Sequence, residues 1–183
     1  VNLQRVTLSE SLEYIYPSTF EGCSSLVSIS LPDELSDIGE AAFKGCTSLE
    51  NIIFPEKLVV IGKSAFEGCV SLKTITIPKD VEVINCSAFK NCTGLEKIVF
   101  DPKYENGISC HVFSGCIGVK EISMPDDGFH SLSNTCADLE WEEVGASVFE
   151  SVPRTAKVKV AKDSYPARFM EEQGFTNLSV AIV

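Results

Sequence analysis

The sequence of 183 residues predicts an α/β-type repeat solenoid, in which short coils stack and share one apolar interior. Three observations carry this prediction. One pattern returns five times at a spacing of 23 or 24 residues, each copy ends in a segment of alternating apolar and polar residues, and a helical segment of different character follows the repeats. A fixed period in this range is typical of solenoids, because a single coil cannot bury its apolar face alone.

Four columns of side chains define the repeat. The first two are the Phe-x-x-Cys pairs Phe20/Cys23, Phe43/Cys46, Phe66/Cys69, Phe89/Cys92 and Phe113/Cys116. The other two are Leu26, Leu49, Leu72, Leu95 and Val119, followed by Ile29, Ile52, Ile75, Ile98 and Ile122. We expect Phe and Cys to line one wall of each coil and the Leu-x-x-Ile-x-Ile segment to line the opposite wall.

The segment "LKTITI" alternates apolar and polar residues, which is the pattern of a strand with one buried face. Stacked copies of this strand predict a parallel concave sheet. Pro32, Pro55, Pro78 and Pro125 close their strands, since proline cannot donate to a strand ladder. A second inward-facing segment follows in "LSDIG", "LVVIG" and "VEVIN", and the Phe then turns inward on the convex wall in a short helical turn.

The last part of the chain predicts a cap. The stretch "KDSYPARFMEEQGF" reads as a helix with Asp163 or Ser164 as N-cap, Pro166 in the first turn and Gly174 at the end. A closing strand, "NLSVAIV", follows. An open solenoid end exposes apolar surface, so a terminal cap is physically expected.

These features predict a single domain over residues 1–183. We expect regular repeats over 1–125, an insertion at 126–143, a last repeat over 144–160 and a C-terminal cap over 161–183. The first residues match a strand with no coil before it, so we expect that part of a repeat has been cut away. The chain has no initiator Met and no export signal, which is the pattern of a mature or trimmed fragment.

The net charge of the chain argues against two classes of partner. A formal charge of −11, from 15 basic and 26 acidic residues, argues against nucleic acid and anionic membranes, since both require a cationic face. The sequence has no run of 18 apolar residues, so we expect no transmembrane segment.

The repeat resembles the BspA-like, or Treponema-type, leucine-rich repeats, whose consensus runs Leu-x-x-Ile-x-Ile-Pro-x-x-Val-x-x-Ile-Gly-x-x-Ala-Phe-x-x-Cys. The resemblance covers residues 1–125 and resumes at "VGASVF", where Val152 stands in place of the cysteine and Val158 and Val160 occupy the strand positions. It implies a curved, right-handed leucine-rich-repeat array, found on bacterial surfaces or secreted, that binds partners and does not catalyse reactions.

The eight cysteines separate into two groups. The five in the repeat column are expected to be inert buried thiols, because a small, weakly polar side chain suits a tight interior. Cys86 and Cys110 occupy equivalent positions on consecutive coils, about 4.8 Å apart, so a bridge between them is possible and stays open. Cys136 has no evident mate. A column spaced by whole coils does not converge on one point, which argues against zinc.

The sequence offers little for catalysis. His111 directly follows Cys110, but neighbouring residues in extended chain point to opposite sides, so a Cys-His nucleophile pair is not expected. Neither a Gly-rich phosphate loop nor a His-Glu-x-x-His stretch occurs. We therefore expect no cofactor and no enzymatic activity.

The outward strand positions form two columns on the concave face. They are Arg5, Ser28, Asn51, Thr74, Lys97, Glu121 and Lys157, and beside them Thr7, Ser30, Ile53, Thr76, Val99, Ser123 and Lys159. Small hydroxyls dominate the middle, and no charge cluster is expected there. Both a solvated sheet face and a protein-binding face fit this pattern.

The insertion is the largest departure from the repeat. Residues 126–143 carry six carboxylates, no Lys or Arg, and the aromatic residues Phe129 and Trp141. An acidic loop without a role is one interpretation, and a binding site is the other, since an aromatic anchor ringed by charge is typical of an interface hot spot. The predicted partner-binding residues are Trp141, Phe129, Glu140, Glu142, Glu143, Lys97, Glu121, Ser123, Thr74, Thr76 and Asn51.

Three functions remain open from the sequence. The first is a monomeric, non-catalytic module that binds a protein or glycan, such as a host or matrix protein, at a bacterial cell surface or after secretion. The second is a structural spacer within a longer repeat array. The third is a hydrolase with its site in the insertion.

Overall fold

A computed structural model of the chain describes residues 2–125, 148–162 and 164–180. Its strands and helix, in chain order, are β1 (Arg5–Thr7), β2 (Tyr14–Ile15), β3 (Ser28–Ser30), β4 (Asp37–Ile38), β5 (Val60–Ile61), β6 (Thr74–Ile77), β7 (Val83–Ile84), β8 (Lys97–Phe100), β9 (Glu121–Ser123), β10 (Lys157–Val160), α1 (Tyr165–Glu172) and β11 (Leu178–Val180). The described strand pairs are all parallel, as the stacked repeat predicts.

The longer strands build the concave sheet. β1 pairs with β3, and β6, β8, β9, β10 and β11 follow one another in chain order. Asn51 links the two parts, because it bridges Ser28 on one side and Thr74 on the other. The insertion therefore leaves the order of coils unchanged: β10 pairs directly with β9.

A second parallel sheet runs along another wall of the stack, in the order β2-β4-β5-β7. Each of its strands has only two residues, and its inward members are Ile15, Ile38, Ile61 and Ile84. Ile38, Ile61 and Ile84 were predicted to point inward, but a sheet was not predicted, because two residues are too few to show alternation.

The phenylalanine column is a continuous stack of rings through the interior. The centroids of successive rings, from Phe20 to Phe149, lie 5.1 to 5.7 Å apart, with interplanar angles of 5 to 18°. Phe54 and Phe100 meet this stack edge-on from the strand side. Because each coil places the same ring against the same neighbour, one side-chain choice is repeated along the whole interior.

The cysteine column has a specific hydrogen-bonding role. Each thiol of Cys46, Cys69, Cys92 and Cys116 donates to the carbonyl oxygen of the phenylalanine in the preceding coil, with Sγ–O distances of 3.1 to 3.2 Å. Burial raises the pKa of Cys46 to about 12 and raises that of Cys69 further. These neutral thiols satisfy backbone oxygens that the coil turns inward, which agrees with the prediction of inert buried cysteines.

Short turns form the convex wall and carry these Phe and Cys residues. They are closed by hydrogen bonds from the fourth residue back to the carbonyl of the first, as from Cys46 N to Phe43 O at 3.1 Å. Ala41 and Ser64 lie in the left-handed region at φ 54°, two residues before the phenylalanine. Gly45 and Gly68 lie there two residues after it. Left-handed residues on both sides stop each helical turn from extending into a helix.

The C-terminal segment closes the stack as predicted. Ser164 is the N-cap of α1, since its side chain accepts a hydrogen bond from Ala167 N at 3.2 Å, and Gly174 follows the helix with φ 80°. Phe169 and Met170 are buried, and the Phe175 ring meets Phe149 edge-on at 5.8 Å. The cap therefore covers the last ring of the phenylalanine stack.

Candidate functional site

The two outward columns of the concave face are in register from coil to coil. In one column Thr74 pairs with Lys97, Lys97 with Glu121, and Glu121 with Lys157. In the other, Thr76, Val99, Ser123 and Lys159 follow the same order. The intervening residues Ile75, Ile98, Ile122 and Val158 point inward and are fully buried. The pleat thus assigns one set of side chains to the core and leaves the other free for a partner.

The N-terminal half of the concave face is polar and carries one exposed apolar side chain. Ser28, Ser30, Asn51, Thr74 and Thr76 are exposed on adjacent coils. Ile53 lies among them with 85% of its surface exposed, and it lines an open depression of about 380 Å³ together with the two serines and Asn51. Among the described residues, this is the most exposed large apolar side chain.

The C-terminal half carries a charge cluster that sequence analysis did not predict. Glu121 Oε1 forms ion pairs with two ammonium groups, with Lys159 Nζ at 2.7 Å and Lys97 Nζ at 3.1 Å. Lys159 first and Lys97 second hold the pKa of Glu121 below its ordinary range. Lys157 lies next to Glu121 in the strand register and is exposed. Lys159 was placed in this outward column from the sequence, but it was not among the predicted binding residues.

The structure groups the predicted binding residues into two sets. Asn51, Thr74 and Thr76 lie together on adjacent coils. Lys97 and Glu121 form an ion pair, and Ser123 lies on the same strand as Glu121. The remaining predicted residues, Trp141, Phe129, Glu140, Glu142 and Glu143, lie outside the described residues.

Cys110 and His111 are adjacent in the chain, but their side chains contact different residues. Cys110 Sγ lies 3.2 Å from Cys86 Sγ on the preceding coil, so these two side chains do face one another. His111 Nδ1 instead lies 3.2 Å from Glu150 Oε2. A Cys-His nucleophile pair therefore does not form at this position. Over residues 2–125, 148–162 and 164–180, no group of three or more His, Cys, Asp or Glu side chains is arranged to hold a metal ion.

The described residues also include no helix that is both long and apolar enough to cross a lipid bilayer.

The parallel concave sheet, the stacked apolar columns and the capped end define a leucine-rich-repeat solenoid. The model of the BspA type leucine rich repeat region matches residues 13–139 in six copies, which is more than half of the chain. The chain belongs to this family. No curated protein sequence matches the chain.

Solved bacterial structures share the fold. A leucine-rich repeat protein from Bacteroides ovatus is 36% identical, with a TM-score of 0.63 over 69% of this chain and 32% of that one. The T. pallidum leucine rich repeat protein TpLRR is 25% identical, with a TM-score of 0.60 over 98% of this chain and 86% of that one. The pneumococcal vaccine antigen PcpA is 19% identical, with a TM-score of 0.68 over 98% of this chain and 40% of that one. The chain thus spans about a third of the length of the Bacteroides protein.

Proposed function

We propose that this chain is a non-catalytic binding module that holds a protein or glycan on its concave face at a bacterial cell surface or after secretion. The observation that carries the proposal is the alternation of buried and exposed side chains along each concave strand. Inward residues such as Ile75 and Ile98 are fully buried, whereas Thr74 and Thr76 between them are exposed. Outward positions are therefore free to serve recognition without cost to the core.

Membership of the BspA-type family supports a binding role, because the repeats of this family build an extended surface. The surface location rests on the same resemblance and on the description of PcpA as a vaccine antigen, which is said of that protein alone. The proposal of a non-catalytic role rests on chemistry: the column thiols are buried, and His111 faces a carboxylate on the convex side.

The insertion extends this proposed surface. Its composition supports a role in recognition, since its sequence contains six carboxylates and Trp141, the only tryptophan of the chain. The chain enters it from β9, and Met124 N donates to Lys159 O at 2.9 Å immediately before it begins. Met124, two residues before the insertion, therefore lies beside Lys159, which supports the proposal that the insertion lies at this rim of the concave face. Its acidic residues would steer a basic partner, and Trp141 would anchor it.

A binding panel tests the proposal. Purified host matrix proteins and glycans are immobilised, and wild-type protein is compared with an Asn51→Ala/Thr74→Ala/Thr76→Ala variant and with Trp141→Ala. We expect at least one panel member to bind, with affinity reduced about tenfold or more by one of these variants, which corresponds to about 1.4 kcal/mol. The convex variant Lys44→Ala is the control and should bind as wild type does.

Two outcomes contradict the proposal. If both variants bind a demonstrated partner as tightly as wild type, the recognition site lies elsewhere on the chain. If no panel member binds, the interpretation of the chain as a structural spacer is favoured.

A further inference from the structure

We propose that the C-terminal half of the concave face binds a carboxylated or sulfated polysaccharide through Lys97, Lys157 and Lys159. This inference rests on the proposed function and names the partner class for one part of the concave face. It is argued from described residues only.

The outward columns of the concave sheet have an excess of positive charge, which is the first support for the proposal. The outward columns of the concave sheet carry four cationic side chains and one carboxylate, Glu121, although the chain as a whole has a formal charge of −11. Three of the four cations lie on β8 and β10. A cationic strip on an otherwise acidic protein selects a polyanion at this place and repels it elsewhere.

The spacing of the lysines across the strands is the second support for the proposal. Lys97, Glu121 and Lys157 stand side by side on three adjacent strands, which places the two lysines roughly 10 Å apart along the sheet. Lys159 lies two residues further along β10. An extended chain that runs across the strands therefore meets ammonium groups on β8 and on β10, two coils apart. A linear polysaccharide with repeated anionic groups has this form.

The third argument is the arrangement of the ammonium groups. Lys97 and Lys159 share one oxygen of Glu121, so a single carboxylate holds both side chains while it offsets only one of their charges. Their side chains are still 42% and 44% exposed, and Lys157 makes no ion pair within the described part of the chain. The cluster is thus held in place before binding and keeps an excess of positive charge.

The fourth argument favours a polysaccharide over an acidic protein segment. Thr74, Thr76 and Ser123 present hydroxyls in the same columns as the lysines, and hydroxyls both donate to and accept from sugar hydroxyls. Protein hot spots are instead built from Trp, Tyr and Arg in packed pockets. The two described columns carry no aromatic side chain, and their arginine, Arg5, lies at the far end of the sheet.

The experiment measures binding to immobilised chondroitin sulfate and hyaluronate, with dextran as the neutral control and polyglutamate as the acidic polypeptide. We expect wild type to bind one or both acidic polysaccharides in a salt-dependent way and to ignore dextran. Lys157→Gln and Lys159→Gln should each weaken binding by about five- to tenfold and reduce its salt dependence.

Glu121→Gln is the decisive variant. It removes one negative charge from the cluster and frees two ammonium groups for the polyanion. Because this electrostatic gain exceeds the loss of preorganisation, we expect the variant to bind the polysaccharide several-fold more tightly. A merely structural role for the cluster predicts the opposite or no change. The convex ion pair of Lys44 and Glu67, at 3.0 Å, offers matched controls: Lys44→Gln and Glu67→Gln make the same charge changes and should leave binding unchanged.

Three results overturn the inference. They are binding to neither polysaccharide, binding to polyglutamate as tight as to the polysaccharides, and lysine variants that behave like their convex controls. Any of these leaves the proposed function standing if a panel partner still depends on Asn51, Thr74 and Thr76 or on Trp141. Loss of that dependence as well would remove the proposed function too.

Discussion

At the scale of single residues, the phenylalanine stack shows why each coil depends on its neighbours. The Phe66 ring lies 5.1 Å from Phe43 and 5.2 Å from Phe89, and Phe54 meets it edge-on at 5.6 Å. Phe66 is fully buried, so its ring has neighbours from three other coils or strand segments. Truncation of Phe66 would leave a cavity between two coils, and a local shift of side chains would not fill it.

Phe66→Ala should therefore lower the free energy of unfolding by about 3–5 kcal/mol and make the transition less cooperative. Urea unfolding followed by circular dichroism measures both. Ile53→Ala is the matched control, since Ile53 is 85% exposed and its truncation should change stability by less than about 0.5 kcal/mol. A loss below about 1 kcal/mol for Phe66→Ala is incompatible with a continuous stack.

The buried thiols make the free energy of unfolding depend on pH in the alkaline range. The pKa of Cys46 is raised to about 12 by burial, and that of Cys69 is raised in the same direction. An unfolded thiol releases its proton near pH 8.5, whereas the folded one keeps it, so the folded state binds more protons above that pH. Stability should thus fall steadily as pH rises from about 8.5 towards 11. Cys69→Ala should flatten this slope, and an unchanged slope would show that the thiols ionise in the fold.

At the scale of the structural elements, close approach between coils explains the glycines that follow the second sheet. A Cβ on Gly62 would lie 2.6 Å from the Gly39 carbonyl carbon and 2.7 Å from Glu40 N, both backbone atoms of the preceding coil. The next coil has Asn85 at the same position and so already accommodates a side chain. The coils are thus in close backbone contact where β4 and β5 end.

Gly62→Ala should force these two coils apart and cost about 1–3 kcal/mol, in the range of an overpacked core. Asn85→Ala is the matched change one coil later and should cost less than about 1 kcal/mol, because it removes atoms beyond an existing Cβ. Thermal unfolding of the two variants measures the difference. Equal effects would show that the coils can separate without penalty.

The pair Cys86 and Cys110 joins two consecutive coils outside the repeat column, and the two side chains face one another. We expect these residues to form a disulfide when the protein is produced in an oxidising compartment. Thiol titration in denaturant should then find six free groups of the eight, and eight after reduction. Eight free groups without reduction would exclude the bridge, and four or fewer would show that column cysteines are also paired.

At the scale of the whole molecule, the repeat explains how much could be predicted from sequence. Each coil contacts mainly its neighbours, so the period alone fixes which residues stack, and the Phe, Cys, Leu and Ile columns are buried as expected. The left-handed conformation at Ala41 and Ser64 gave no signal, because neither residue is glycine. The ion pair of Glu121 with Lys159 was not predicted because it depends on side-chain direction across the insertion.

The domain boundaries and the role of the insertion stay predictions. Both were inferred from places where the repeat pattern is interrupted. An interruption does not indicate which structure takes the place of the repeat. The concave face was predictable as a surface, since alternation fixes which residues point outward. Its partner was not, because small hydroxyls and a few charges fit several ligands, and only the placement of the lysines around Glu121 narrows the choice.

Lysine acetylation, read by mass spectrometry with and without a bound partner from the panel, tests the central claim that recognition takes place on the concave face. Lys97 on this face and Lys44 on the convex wall are both 42% exposed and both ion-paired, so each serves as the reference for the other. We predict that the partner slows acetylation of Lys97, Lys157 and Lys159 and leaves Lys44 unchanged. Slower acetylation of Lys44, with the three concave lysines unaffected, would contradict the account.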